Sequence, residues 1–179
     1  MGKHDSGYEL MSRDLYCTPA WVTNSLIERV VFRGCAVDPA CGERDIVKVF
    51  NDRSSTFMTG VDISEGYDFL ADNNSYYQSI VTNPPYGRGK LAMQFIDHAL
   101  SLTHHCCGQV AMLLPVDFDS GKTRRYLFDE HKAFQQKIVL TERIRWANLE
   151  QKKNGPKENH AWYIWDWSNT QTPVMRYAP

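Results

Sequence analysis

Residues 79–87 read SIVTNPPYG, a short apolar run followed at once by a double-proline turn. The run Ser79–Thr82 has the apolar and β-branched content of a buried strand. Pro84 and Pro85 then fix φ at two successive positions and remove two backbone N–H donors. The sequence therefore predicts a stiff turn at the end of a strand, with the side-chain oxygen of Asn83 as one of its acceptors.

The rest of the chain repeats a pattern of short apolar runs and longer amphipathic stretches. The apolar runs predict strands at residues 35–38, 57–62, 79–82, 109–114, 137–140 and 160–165. Helical spacing of apolar residues predicts helices at 19–32, 45–51, 91–102 and 122–132. This alternation predicts an α/β fold with a mostly parallel sheet and helices on both faces. The last run, rich in tryptophan, is predicted to be an antiparallel edge strand.

Length and composition limit the class of protein. The chain has 179 residues, of which 42% are hydrophobic and 23% charged, which is typical of one compact domain and not of a disordered chain. No apolar run approaches the roughly 18 residues needed to cross a bilayer, and the first residues lack the apolar stretch of a secretory signal. We expect a single domain over residues 1–179, in the cytoplasm and without membrane contact.

The five cysteines show none of the spacings of a disulfide framework or a zinc ribbon. Residues 104–107 read HHCC, but neighbouring side chains on one segment point in different directions and do not easily close a tetrahedron around one ion. A helix end before Gly108 is the favoured interpretation. We expect reduced thiols and no metal site.

Charge is unevenly distributed along a chain whose formal net charge is −1. Residues 1–80 carry 7 basic and 12 acidic side chains, whereas residues 121–160 carry 10 basic and 5 acidic. A basic segment suits a polyanion, because lysines and arginines that neutralise phosphates release counterions. A solvated helix face accounts for the same composition, so both interpretations stay open.

The double-proline turn is suited to a planar amine. The side-chain oxygen of Asn83 and the carbonyl of Pro84 are two acceptors that can converge on an NH₂ group with two donors. Tyr86 supplies a flat face on which the ring that carries this amine can stack. Two prolines alone are typical of a rigid surface turn, but the strand before them and Tyr86-Gly87 after them favour a functional site.

Asn83-Pro84-Pro85-Tyr86 resembles the catalytic motif of the S-adenosylmethionine-dependent amino methyltransferases, especially the N6-adenine DNA methyltransferases. Further matches follow in the order of the gamma class. Asp38-Pro39-Ala40-Cys41-Gly42 matches the glycine loop that follows the family's first strand, and Tyr16-Cys17-Thr18-Pro19 precedes it. Asp62 matches the end of the family's second strand, and Asp68-Phe69 matches the pair after the family's third strand. The resemblance spans about residues 14–118, and residues 158–162 are similar to the last strands of small phage-type members.

The resemblance implies a Rossmann-like class I methyltransferase fold with S-adenosylmethionine as the cofactor. It assigns to the cofactor Tyr16, Thr18, Pro19, Asp38, Pro39, Ala40, Gly42, Asp62, Ile63, Asp68, Phe69 and Asn83. In this set Asp38 faces the α-ammonium, Asp62 the ribose hydroxyls and Asp68 the adenine amine, with Phe69 or Ile63 against the adenine ring. Taken alone, each aspartate is more typical of a helix cap or an exposed turn.

Arg44 departs from the family pattern, which usually has a second glycine two positions after Gly42. If the backbone there requires a positive φ, arginine costs about 1 kcal/mol or more, and its side chain approaches the pocket. We still expect the cofactor to bind.

The implied reaction is methyl transfer to the N6 amine of adenine in DNA, with Asn83, Pro84, Pro85 and Tyr86 as catalytic residues. Nucleic acid is expected to contact Arg88, Lys90, Arg124, Arg125, Arg143, Arg145, Trp146, Lys152 and Lys153, where Trp146 can stack a base or belong to the core. No separate target-recognition domain is expected, so specificity is low or comes from a partner. The alternatives are an RNA adenine or guanine amino methyltransferase, and an inactive nucleic-acid-binding subunit of the same fold. A bacterial or phage-infected cell is the expected setting.

Overall fold

The computed structural model describes residues 17–73, 77–146 and 158–179, which form a seven-stranded sheet with helices packed against it. The strands are β1 Ala36–Asp38, β2 Met58–Gly60, β3 Ser79–Thr82, β4 Gln109–Pro115, β5 Phe134–Leu140, β6 His160–Asp166 and β7 Val174–Ala178. The α-helices are α1 Ala20–Ile27, α2 Asp45–Arg53, α3 Lys90–His104 and α4 Arg125–Phe128. Short 3-10 helices lie at Ile63–Glu65, Phe69–Ala71, Gly87–Gly89, Phe118–Ser120 and Lys122–Arg124.

The strand order across the sheet is β2-β1-β3-β4-β6-β5-β7. All neighbouring strands are parallel except that β6 runs antiparallel to both β4 and β5. The antiparallel strand is therefore confirmed, but its predicted place at the edge is wrong, because β6 lies inside the sheet. The edge on that side is β7, which the sequence pattern misses since four of its five residues are exposed and form no buried apolar run.

Alternate residues of the central strands enter two cores on opposite faces of the sheet. Val81 and Leu113 pack on the face covered by α1 and α2. Ile80 and Met112 pack on the face covered by α3 and α4. The alternation follows from the pleat of the strands, and it confirms the predicted helices on both faces.

The strand β6 is buried along its whole length and attaches a helix to each face. The indole N–H of Trp162 donates to the carbonyl of Val22 in α1 at 2.9 Å. The indole N–H of Trp165 donates to the carbonyl of Leu127 in α4 at 2.7 Å. Buried indole N–H groups need such partners, so the two tryptophans contribute both apolar area and directed bonds.

Two predicted helices are shorter in the structure. The helix predicted at 19–32 ends at Ile27, because the next segment is held by long-range bonds: Thr56 Oγ1 donates to the carbonyl of Phe32, and the amide of Arg33 donates to Gln109 Oε1. The helix predicted at 122–132 is divided into a 3-10 turn and α4. The Leu127 carbonyl in that last turn is already bonded to the Trp165 indole, so tertiary packing overrides the local pattern.

The helix end predicted before Gly108 is confirmed, because α3 ends at His104. All five cysteines are free thiols. Within the three described ranges, no group of acidic, cysteine and histidine side chains is arranged to hold a metal ion. No helix in those same ranges is long and apolar enough to cross a membrane.

An ion pair closes the end of the sheet where β4 begins and β6 ends. The Arg33 guanidinium donates to the two carboxylate oxygens of Asp166 at 2.9 and 2.6 Å, and Gln109 Nε2 donates to the same group at 3.2 Å. The Asp166 side chain is only 5% exposed. Burial acts to raise the pKa of Asp166, but hydrogen bonds from Arg33 and Ser168 lower it below its ordinary value.

Replacing Arg33→Met should destabilise the fold by about 2 kcal/mol at neutral pH, because a buried carboxylate loses its charged donor. Asp166 has a lowered pKa in the folded state, so its contribution to stability is present above the unfolded pKa of about 3.9 and is lost as the pH falls below it. Urea unfolding at neutral pH and at about pH 3 should therefore show the difference from wild type shrinking in acid.

Arg125→Met is the control, since both side chains of its ion pair with Asp129 are 65% exposed and the pair should contribute little to stability. An equal loss for Arg33→Met at both pH values would show that the Asp166 carboxylate is not the partner that matters.

Candidate functional site

The predicted site residues gather at the carboxyl edge of three neighbouring parallel strands. Asp38 ends β1, Asp62 follows β2, and Asn83 follows β3. Thr18, just before α1, reaches the same edge through its contact with Asn83. Ligands of open α/β sheets bind beyond this edge, so the strand order alone brings these polar groups to one place.

The carboxamide of Asn83 is held from two sides. Its Nδ2 donates to Thr18 Oγ1 at 3.3 Å, and its Oδ1 accepts from the Tyr86 hydroxyl at 2.9 Å. The same hydroxyl also lies 3.3 Å from the carbonyl of Leu113 in β4. Hydroxyl groups on two sides hold the carboxamide in place, because each can form one hydrogen bond with it. Thr18, predicted to bind the cofactor, therefore contacts the predicted catalytic asparagine.

The Asn83 oxygen is a strong acceptor at this position. A carboxamide oxygen has two lone pairs, and the Tyr86 hydroxyl donates to Oδ1 at 2.9 Å. The two prolines that follow are buried, which fixes the backbone of the turn. The planar amine that the sequence predicts as the partner of this oxygen stays a prediction.

Asp38 is a buried carboxyl group, 1% exposed, that accepts from the amide of Ala40 at 3.2 Å. Burial raises the pKa of Asp38 to about 7, against the opposing effect of the nearby Thr82 hydroxyl and the Ala40 amide. None of the ion pairs formed within the described part of the chain involves Asp38. A buried carboxyl group with a raised pKa is suited to a cationic ligand, because an ammonium group would offset the free energy needed to ionise it.

Asp62 holds the glycine loop against the end of β2. Its Oδ2 accepts from the amide of Gly42 at 3.0 Å, and its Oδ1 accepts from the amide and the hydroxyl of Ser64 at 2.9 and 2.7 Å. Gly42 has a φ of 46°, a left-handed conformation that favours glycine. These bonds leave Oδ2 with room for one more donor, fewer than the two ribose hydroxyls of the prediction require.

The segment after Asp62 differs from the predicted arrangement. Within the described residues, no strand lies between β2 and β3 along the chain. Asp68 instead precedes the 3-10 helix Phe69–Ala71, and the amides of Leu70 and Ala71 donate to the Asp68 side chain. Phe69 is 1% exposed and packs against Phe95 in the core, with ring centroids 5.0 Å apart. Of the two apolar residues predicted to contact an adenine ring, half-buried Ile63 is thus the more accessible.

Arg44 has the positive φ that the sequence argument considers, 64°, at the start of α2. A non-glycine residue in this conformation costs about 1 kcal/mol. The guanidinium donates to the carbonyl of Gly60 at 3.1 Å and to both carboxylate oxygens of Glu65 at 2.7 and 2.9 Å. Arg44 thereby joins the glycine loop to residues on both sides of Asp62.

A hydrogen-bonded pair of tyrosines, which sequence reasoning missed, closes the loop that carries Asp68. Tyr67 and Tyr77 both donate to Asp72 Oδ2, at 2.5 and 2.7 Å, and their hydroxyls lie 2.6 Å apart. Burial raises the pKa of Tyr77 to about 12, so its phenol remains a donor at neutral pH. The cluster ties the residues before Asp68 to those just ahead of β3. Nothing in the local sequence marks these three residues as partners.

On one side of the Asn83 turn lie cations near the start of α3. Arg88 lies in the 3-10 helix Gly87–Gly89, and exposed Lys90 begins α3. The Arg124 guanidinium lies 4.2 Å from the centroid of the Phe118 ring. A Cβ added at Gly89 would lie 4.0 Å from the same ring, which places Arg124 near this helix start. Arg125, also predicted to bind nucleic acid, is ion-paired with Asp129 and Glu130.

The other predicted cationic residues that the structure describes follow β5 along the chain. Arg143 Nε donates to Asn159 Oδ1 at 2.9 Å, and Arg145 is exposed. Trp146 is half-buried and packs against the core. Tyr16, Lys152 and Lys153 lie outside the described residues.

His160 is a second residue that sequence reasoning missed. It begins β6, is 4% exposed, and its ring centroid lies 6.2 Å from that of Tyr86. Burial lowers the pKa of His160 to about 4, so the imidazole is neutral at physiological pH. His160 lies within the predicted strand 160–165, and only the pairing of that strand with β4 brings it close to Tyr86.

Comparison with known proteins adds to the fold. No protein-family model matches this sequence, and no curated protein is significantly similar to it. A chain in a structure of a type I R-M system superposes on 90% of this chain with a TM-score of 0.54 and 13% identity. The predicted Rossmann-like α/β fold, a mostly parallel sheet with helices on both faces, is confirmed. This chain spans 44% of the length of that neighbour.

A second solved structure is a release-factor-specific protein-(glutamine-N5) methyltransferase from Alicyclobacillus acidocaldarius subsp. acidocaldarius DSM 446. The match covers 89% of this chain and 99% of the other at 14% identity. Its TM-score of 0.34 is too low to indicate a shared fold.

Asp38→Asn should stabilise the protein at pH 8 by roughly 1–3 kcal/mol, because the neutral amide removes a buried charge. The pKa of Asp38 in the folded protein, about 7, exceeds its value in the unfolded chain. The wild-type protein should therefore lose stability relative to Asp38→Asn as the pH rises through 7. Urea unfolding at pH 5 and 8 measures the effect, with exposed Asp52→Asn as the matched control. A variant less stable than wild type at pH 8 would contradict the burial argument.

Proposed function

We propose that this chain is an S-adenosylmethionine-dependent methyltransferase that modifies the exocyclic N6 amine of adenine in DNA. The observation that carries the proposal is the Asn83 carboxamide, fixed between Thr18 and Tyr86 at the carboxyl edge of the sheet. A neutral amide in this position can orient a planar amine but cannot take its proton. The order of the sequence motifs supports the same interpretation.

The carboxyl edge offers groups that fit S-adenosylmethionine. The buried Asp38 carboxyl suits its α-ammonium, and the remaining acceptor capacity of Asp62 suits a ribose hydroxyl. Ile63 lies next to Asp62, where it can contact the adenine ring, and Asp68 follows on the same loop. Bound there, the cofactor would supply an electrophilic methyl group on its sulfonium sulfur.

The chain's own residues then act on the target amine. Asn83 Oδ1 and the carbonyl of Pro84 would accept the two N–H groups. These bonds draw the nitrogen lone pair out of conjugation and stabilise the positive charge that develops as the N–C bond forms and the C–S bond breaks. The electron pair of the broken C–S bond would stay on sulfur, and the surplus proton would leave the amine to water after transfer. Tyr86 would stack against the base, which must leave a duplex to reach this turn.

The cations around the turn suit the phosphates on both sides of a target nucleotide. Lys90 and Arg124 lie toward α3, and Arg143 and Arg145 lie after β5. Arg125 contributes less to this surface, because Asp129 and Glu130 neutralise it. We propose that the selection of a target sequence by this domain is weak or is supplied by a partner.

Asn83→Ala and Tyr86→Ala should each lose about 100-fold or more of the methyl transfer rate while still binding the cofactor. Transfer of radiolabelled methyl to unmethylated duplex DNA measures the first effect, and calorimetric titration with S-adenosylmethionine the second. Product formation at the wild-type rate in either variant would refute the assignment of the turn.

Thr18→Val should lower kcat about tenfold, since valine cannot accept from the Asn83 amide, whereas Thr18→Ser should retain activity. The affinity for S-adenosylmethionine should stay within about twofold in the Thr18→Val protein if Thr18 acts through Asn83. A raised dissociation constant with unchanged kcat would show instead that Thr18 only binds the cofactor.

A further inference from the structure

His160 is fixed beside the catalytic turn by the sheet itself. As the first residue of β6 it pairs with Pro115 of β4, the strand whose Leu113 carbonyl lies near the Tyr86 hydroxyl. The planes of the His160 and Tyr86 rings differ by 28° at a centroid distance of 6.2 Å, an offset stack. The Trp146 ring meets His160 nearly at right angles, 83° at 5.3 Å.

Tyr86 needs a neighbour of this kind. Its backbone and its hydroxyl, which lies near Asn83 Oδ1 and the Leu113 carbonyl, hold the two ends of the ring. A phenol held at both ends still rotates about the axis through Cβ and the hydroxyl, which is its χ2 torsion. Bonds at the ends therefore limit this rotation less than a group packed against a face of the ring does.

We infer that His160 is a positioning residue that fixes the ring plane of Tyr86 and, through it, the plane in which the target base stacks. This inference rests on the proposed function for its consequence in catalysis. The geometry of the two rings stands independently of that function. Trp146, expected from the sequence to be a base-stacking residue or part of the core, supports the imidazole edge-on.

The neutral state of His160 agrees with this role. Burial lowers the pKa of His160 to about 4, so no positive charge lies behind Tyr86 at physiological pH. A positive charge there would oppose the charge that develops on the target nitrogen. A flat, uncharged ring therefore suits the position. Phenylalanine supplies such a ring without the hydrogen bond of the imidazole to the Glu158 backbone.

The ring plane can be measured without any reaction. In protein with ¹³C-labelled tyrosine rings, the Tyr86 signals are identified by their loss in Tyr86→Phe, and their line shapes give the flip rate of the ring. We expect the flip rate to rise about tenfold or more in His160→Ala and to return toward wild type in His160→Phe. An unchanged flip rate in His160→Ala would overturn the inference.

The consequence for catalysis is measured with the same variants. His160→Ala should lower kcat/KM for the DNA substrate about tenfold, with affinity for S-adenosylmethionine unchanged, and His160→Phe should restore it. His131→Ala is the matched control: His131 is a half-buried histidine edge-on to Trp167, centroids 5.2 Å apart, at the opposite edge of the sheet. Equal losses in His160→Phe and His160→Ala would overturn the positioning role.

The two proposals fail in different ways. If wild-type protein transfers no methyl group, the proposed function fails, while the flip rates still decide whether His160 sets the plane of Tyr86. If transfer occurs and the flip rate does not respond to His160→Ala, the function stands and the inference about His160 is wrong.

Discussion

The antiparallel pairing of β4 with β6 is the constraint that positions the side chains at both ends of these two strands. Seven residues of each strand are in register, from Gln109 opposite Asp166 to Pro115 opposite His160. One end of this ladder carries the ion pair between Arg33 and Asp166. The other end brings His160 to Tyr86. A shift of one residue would turn every β6 side chain to the other face, so the same pairing that buries the tryptophans also composes the site.

The site retains features that do not favour stability. Asp38 is buried without a cationic partner among the described ion pairs, and Arg44 adopts a left-handed backbone conformation. Each costs free energy in the isolated chain. Asp38 ends β1 and Arg44 lies at the start of α2, so the two residues flank the loop between these elements. Local costs of this kind are expected where a protein binds a ligand, since the ligand supplies the missing partner. The hydrogen bonds of Asp62 and Arg44 keep the loop in place despite them.

The sequence allowed prediction of what depends on local pattern. Apolar runs predicted the strand that ends at Asp38 and the strand that ends just before Asn83, and parallel pairing then places such ends together. Contacts between distant segments could not be predicted. The packing of Phe69 into the core, the pairing of Arg33 with Asp166, and the approach of His160 to Tyr86 all depend on tertiary register. The edge strand β7 escaped because its exposed residues show no apolar run.

The measurement that tests the central claim most directly is the fate of the methyl group. Purified protein with radiolabelled S-adenosylmethionine would be offered unmethylated duplex DNA, single-stranded DNA, bulk RNA and a protein extract in parallel, followed by nucleoside analysis of the labelled product. The account predicts label in DNA as N6-methyladenine. Label confined to RNA or to protein would contradict the assigned substrate, and no label from protein that binds the cofactor would contradict the assigned activity.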